Sequence, residues 1–144
     1  MHLLPALYGR IRVPEAVVRE LDEGRRQGID LPDVTALSWI DVSAAQPAPL
    51  PRTLGRGEQE ALTLGLQTAN TLVVLDDALA RRYAGALGVA FIGTLGVLLK
   101  AKEARLISAV GPVLQRLDQL GFRLDAGTRA SVLLLAGEAD PPPD

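Results

Sequence analysis

The sequence predicts an α/β domain in three layers, with a mainly parallel sheet and helical additions towards the C-terminus. Three observations predict it. Short apolar strand candidates alternate with amphipathic helical stretches, the pattern of β-α-β units. The run Thr71-Leu72-Val73-Val74-Leu75 lacks polar alternation and is β-branched in its middle, so it reads as a strand buried on both faces, as in a parallel sheet. Asp76-Asp77 follow it at once, and open α/β sheets bind ligands beyond the carboxyl ends of such strands.

Taken in order, Leu3 to Tyr8 has the look of a helix end, interrupted by Pro5 and stopped by Gly9. Arg10 to Val13 alternates as a short strand, and Pro14 at a first helical position opens a helix to about Gly24. On that helix Val13, Ala16, Val17, Glu20 and Leu21 share one face, which places the acid of Glu20 inside an apolar stripe. Gly28 to Ser38 is loop, Trp39 to Val42 a second short strand, and Ala44 to Pro51 an extended, proline-rich connector within one domain. A helix then opens with Gly57-Glu58-Gln59-Glu60-Ala61-Leu62. After the strand at residues 72–75, a helix from Ala78 to Leu87 turns Leu79, Tyr83, Ala86 and Leu87 inward, and Val89 to Ile92 forms another buried strand. Thr94 is placed to cap a helix carrying Leu95, Leu98, Leu99 and Lys102 on one face. Ser108 is placed to cap a helix to Leu120 that Gly121 ends, and Asp125 to Gly137 forms the last helix. The domain is expected over residues 1–138, with Ala139 to Asp144 a disordered tail.

Composition narrows the chemistry. The chain is long enough for one domain, and 48% hydrophobic residues are enough for a core, made mostly of Leu, Val and Ala because aromatics are few. Without cysteine there are no disulfides, thiolate metal sites or Cys nucleophiles, and the lone histidine, His2, makes imidazole chemistry a poor prospect. His2 and Trp39 are assigned no functional role. Carboxylates remain. A net charge of −2 argues against nucleic-acid binding by bulk charge, leaving local arginines such as Arg52, Arg56, Arg81 and Arg82 to meet phosphates. No apolar run reaches the roughly 18 residues of a membrane span and the first residues lack a signal-peptide pattern, so the expected setting is cytoplasmic.

In the helix that opens at Gly57, Glu58, Leu62, Gly65, Leu66 and Ala69 follow one face. Glu60 lies about 200° around from Glu58, so the two cannot point the same way, and the inward acid is taken to be Glu58. Glu60 is accordingly expected to face solvent and to be dispensable. Carboxylates from separate elements converging on one sheet edge supply the oxygen ligands that hard divalent cations require. The competing readings make Glu58 a helix-start acid favoured by the macrodipole, Asp77 an N-cap, and Glu20 an edge acid paired with an arginine.

With the residues laid out, the chain resembles the PIN-domain nucleases (PilT N-terminus type), in particular the small prokaryotic branch classed as a domain of unknown function and related to the toxins of toxin–antitoxin pairs. The segments that carry the resemblance are residues 13–21, 57–62, 75–77 with Ala80-Arg81, 92–101, and 117–124 with Ala136-Gly137-Glu138. It implies a metal-dependent ribonuclease in which Glu20, Glu58 and Asp76 or Asp77 hold Mg²⁺ or Mn²⁺. Its implied partners are an RNA substrate, an antitoxin protein and a second copy of the chain, with no membrane. The family also opens with a central strand ending in an Asp, which has no counterpart before Leu3. The expectation is therefore a PIN-like domain without its first strand, through a start assigned too far downstream or through decay, and impaired as a nuclease. The alternative is a non-catalytic PIN-like module that binds protein.

Overall fold

The computed structural model describes residues 3–46, 48–122 and 124–138. Its elements follow the order α1 (Leu3–Tyr8), β1 (Ile11–Pro14), α2 (Glu15–Arg26), a 3-10 turn (Val34–Ala36), β2 (Ile40–Ser43), α3 (Arg56–Gln67), β3 (Val73–Val74), α4 (Ala78–Leu87), β4 (Phe91–Ile92), α5 (Thr94–Glu103), α6 (Gly111–Gln119) and α7 (Ala126–Leu135). It is a mixed α/β fold with short parallel ladders, as the alternation predicts. The described residues include no helix long and apolar enough to cross a membrane. The tail expected from Ala139 onward, and His2, lie outside the described residues.

Local chemistry explains where these boundaries fall. Pro5 is the third residue of α1, where the missing N–H has no intrahelical acceptor, so it is accommodated rather than interrupting. Pro14 ends β1 and stands as the residue before α2, not as its first. Nor does Gly24 stop α2: Leu31 folds back onto it, and a Cβ there would lie 2.5 Å from Leu31 Cδ1. Gly88, at φ +72°, ends α4 in the left-handed conformation that glycine adopts without steric cost.

Tyr8–Thr94 forms one compact unit, and the segments before and after it form another. In the first, Leu54, Leu62, Val73, Leu75, Ala80, Ala84 and Val89 make the core. Gly65 lets α3 approach the strands, since a Cβ would meet Val73 Cγ2 at 2.8 Å and Val89 Cγ1 at 2.9 Å. In the second, Leu98, Val110, Leu114 and Val132 form the core, with Leu95 and Leu99 packed against it as the helical face predicts.

The strands depart from expectation. Instead of one sheet there are two parallel ladders: β1 pairs with β2 (Ile11 with Ile40 through Pro14 with Ser43), and β3 with β4 (Val73 with Phe91, Val74 with Ile92). The stretch Leu72 to Leu75 is buried on one face only. Val73 and Leu75 point into the core, whereas Leu72 and Val74 are 41% and 45% exposed. Among the described residues no strand is hydrogen-bonded to its far edge, so β3 behaves as an edge strand. Phe91 is exposed for the same reason of incomplete cover, so the strand at Val89 to Ile92 is not fully buried either.

Two helical faces also shift. On α4 the fully buried residues are Ala80 and Ala84, with Leu79 and Tyr83 packed at the margin, while Ala86 and Leu87 are exposed. The small alanines allow α4 to sit close to the core, which rotates the long side chains outward. Ser108 does not cap α6. That helix starts at Gly111, and its first N–H groups are met by Glu138 instead.

Candidate functional site

Neither Pro14 nor Gly55, the residues that precede α2 and α3, makes a side-chain cap. Each helix borrows its cap from the other. The N–H of Ala16 donates to Glu60 Oε1 at 2.9 Å, and the N–H of Gly57 donates to Glu20 Oε1 at 3.2 Å. The exchange requires the two helices to lie close, and Gly57 permits it: a Cβ there would stand 3.0 Å from both Glu20 oxygens and 3.2 Å from Val17 Cγ2. Two negative side chains thus sit at two positive helix ends.

This arrangement corrects the reading of Glu60. Far from facing solvent, its side chain is only 17% exposed, and besides capping α2 it lies 3.4 Å from Arg19 and 4.0 Å from Arg56. The helical wheel misleads because α3 is buried on two sides, one against β3 and α4 and the other against α2 and β1. Glu60→Ala is expected to cost about 1 to 2 kcal/mol, the usual loss of an N-terminal cap. Glu60→Gln should cost less because its amide oxygen still accepts from Ala16. Urea unfolding of both variants checks this, and an unchanged midpoint for the alanine variant would contradict the cap.

The other acids have distinct surroundings. Glu58 is half-buried in the first turn of α3, its carboxylate folded against Gly55, and it makes no hydrogen bond or ion pair among the described residues. Asp76 is engaged at both oxygens: Oδ1 accepts the N–H of Thr94 at 2.8 Å and Oδ2 its hydroxyl at 2.5 Å. Thr94 is therefore the first residue of α5, and the cap is the carboxylate of Asp76. Asp77 caps α4, accepting the N–H of Ala80 at 2.9 Å.

The cations are partly committed. Arg81 donates from Nε to the Leu75 carbonyl at 2.9 Å, lies 4.0 Å from Asp76, and stacks 5.9 Å from the Phe91 ring centre. Arg52 and Arg82 are exposed and make no ion pair among the described residues. Arg19, Glu20, Glu23, Arg26 and Arg56 line an open groove of about 830 Å³. Charges of both signs alternate there, so the groove is not a one-sign track for a polyanion.

Chain direction places the acids at a common end. β1 leads straight into α2, whose first turn meets Glu60 near the start of α3, so β1 runs towards the N-terminal end of α3. β3 begins beyond the C-terminal end of α3 and runs back along it past Gly65. Both strands therefore point to the end that holds Glu20 and Glu58, and Asp76 and Asp77 follow β3 at that same end. Sharing an end does not make a metal site. Among the described residues no three of His, Asp or Glu stand close enough to hold one ion. Glu20, Asp76 and Asp77 are each bonded to main-chain N–H groups as they stand.

Parallel ladders, one of them followed by Asp76 and Asp77, define the class as an α/β domain. A family model described as a PIN domain matches residues 1–138, and the chain belongs to that PIN-domain family of unknown function, within a nuclease-like superfamily. No curated protein and no solved structure matches the chain.

Proposed function

We propose that the chain is a ribonuclease of the PIN type, akin to the toxins of toxin–antitoxin pairs and cytoplasmic. Glu20, Glu58, Asp76 and Asp77 are its candidate ligands for Mg²⁺ or Mn²⁺. The observation that supports this reading is the gathering of acids from α2, α3 and the end of β3 at one end of the strands. Because they do not form a cation site as they stand, no step is assigned to a metal. Glu58, the one acid of the four without a partner among the described residues, is the group best placed to act on an arriving ligand.

A second reading has a specific observation behind it. Three of the four acids are already bonded to main-chain N–H groups, which suits a non-catalytic module that binds protein, an antitoxin or another copy. Incubation with single-stranded RNA and Mn²⁺ separates the two. Slow cleavage by the parent chain, abolished in Glu58→Gln and Asp76→Asn, together with a saturable Mn²⁺-dependent rise in Tm, supports the nuclease. No cleavage and no Mn²⁺-dependent shift in the parent decides for the binding module.

A further inference from the structure

Of the arginines that the sequence offers to phosphates, Arg52, Arg56 and Arg82 are exposed, whereas Arg81 is half-buried and held at the end of β3. Its Nε donates to the Leu75 carbonyl at 2.9 Å, and its guanidinium lies over the Phe91 ring, 5.9 Å from the ring centre. A hydrogen bond at one atom and a ring against one face fix a planar group in both position and tilt. Gly93 completes the seat. A Cβ there would overlap Arg81 Nη2 and lie 3.0 Å from Asp76 Oδ1, so the guanidinium crosses this turn only because residue 93 has no side chain.

The far edge of the guanidinium is left free. Nη1 and Nη2 make no hydrogen bond among the described residues, since Asp76 Oδ1 lies 4.0 Å from Nη2, beyond hydrogen-bond reach, and already accepts the N–H of Thr94. Nor do the neighbouring acids cancel its charge. Asp77 caps α4 and Asp76 meets the first N–H of α5, so each faces the positive end of a helix. Two parallel N–H donors on a held plane match the two oxygens of a phosphate or a carboxylate. Phe91 decides between them: it is 39% exposed, and an open ring beside such a fork suits a single-stranded nucleotide, whose base can rest on it, better than an acidic peptide.

We propose that Arg81 is the phosphate-binding residue at this end of the domain, its Nη1 and Nη2 donating together to one phosphodiester of single-stranded RNA, and that Gly93 sets the guanidinium for that contact. The assignment rests on the ribonuclease reading above. Because the fork is held before the ligand arrives, little side-chain freedom is lost on contact, unlike at the exposed Arg82.

The test is fluorescence anisotropy of a labelled single-stranded RNA of about ten nucleotides, titrated with the 144-residue protein at several salt concentrations, in EDTA and in Mg²⁺. Arg81→Met is expected to weaken binding about three- to tenfold, and to lower the slope of log K against log salt by about 0.7, the share of one phosphate on a single strand. Gly93→Ala keeps the charge, and its clash falls on the tip of a flexible side chain, so the guanidinium moves while the fold is kept. It should give most of the same loss, and no further loss when combined with Arg81→Met. Arg82→Met removes an equal charge and should change affinity by less than about twofold. Unchanged affinity and slope in Arg81→Met, an equal loss in Arg82→Met, or full additivity of Arg81→Met with Gly93→Ala overturns the proposal. Displacement of the RNA by a polyglutamate peptide at equal or lower concentration also overturns it, by showing that the fork serves carboxylates. A parent chain that binds no RNA in either condition overturns the ribonuclease reading as well, whereas binding indifferent to Arg81 overturns this contact alone.

Discussion

Replacing Leu62 with alanine is expected to lower the unfolding free energy by about 2 to 5 kcal/mol, the range for emptying a fully buried leucine site. Leu62 is 0% exposed and stands in the core that joins α3 to β3 and α4. Its neighbours cannot easily close the gap, because Val73 is held in a ladder and Ala80 and Ala84 are already as small as side chains become. Against the roughly 5 to 15 kcal/mol that keeps a domain folded, such a loss is large. The comparison that isolates burial is Leu134→Ala: Leu134 is 68% exposed and should change stability by no more than about 0.5 kcal/mol. Urea unfolding of both variants is the measurement. Equal effects would mean that the core does not centre on α3.

Much of this core was legible in the sequence because it follows from local periodicity. Leu62 and Gly65 of the predicted α3 stripe face Val73 and Val89, whereas Leu66 and Ala69 of the same stripe are exposed and Leu64 is buried instead. The stripe through Leu95, Leu98 and Leu99 packs as read. What periodicity cannot express is a contact fixed by a distant element. The cap of α2 comes from Glu60, 44 residues away, and that of α6 from Glu138, 27 residues away. A side chain that serves another helix is indistinguishable in sequence from a solvated one, which is why Glu60 reads as idle. The stretch Leu72 to Leu75 failed for the converse reason. Its apolar run states that both faces suit burial, but burial is completed by neighbours, and among the described residues β3 has a paired strand on one edge alone.

Of the candidate acids, the sequence placed Asp76 and Asp77 at a strand end, where they lie, whereas Glu20, read as part of an apolar stripe, is exposed and bonded to the N–H of Gly57 at the start of α3, which was not foreseen. A hydrogen bond was foreseen for Asp77, as a cap, and not for Asp76. The reason lies in Gly93: without a side chain there, a Cβ that would stand 3.0 Å from Asp76 Oδ1 is absent, and the chain turns so that Thr94 offers its N–H and hydroxyl together to one carboxylate. Sequence shows the two ends of that bridge but not the turn that joins them.

Glu138→Gln is expected to cause the largest polar loss of stability in the unit that contains α5, α6 and α7. Its carboxylate takes the N–H of Val110 at 2.8 Å and that of Gly111 at 3.1 Å, and meets Lys102 Nζ at 2.8 Å, so one side chain ties the start of α6 to α5. Val110, which precedes α6, makes no side-chain cap, so nothing local replaces it. The Lys102 ammonium first, then these N–H groups, hold the carboxyl well below its ordinary 4.5, at about 2. The sign of the pH dependence follows. A carboxylate with a depressed folded-state pKa contributes stability that is fully present above 4.5 and is lost as pH falls through about 2, because the unfolded chain takes up the proton first. At pH 7 Glu138→Gln should therefore lower Tm by several degrees. Between pH 4.5 and 2 the parent should lose stability more steeply than the variant, so that the two converge in acid. Lys102→Met, which removes the first cause of the shift, should move the parent's acid transition upward in pH. Thermal melts of the three proteins across that window are the check. Parallel curves for parent and Glu138→Gln, with a constant gap, would show that Glu138 acts through packing rather than through its charge.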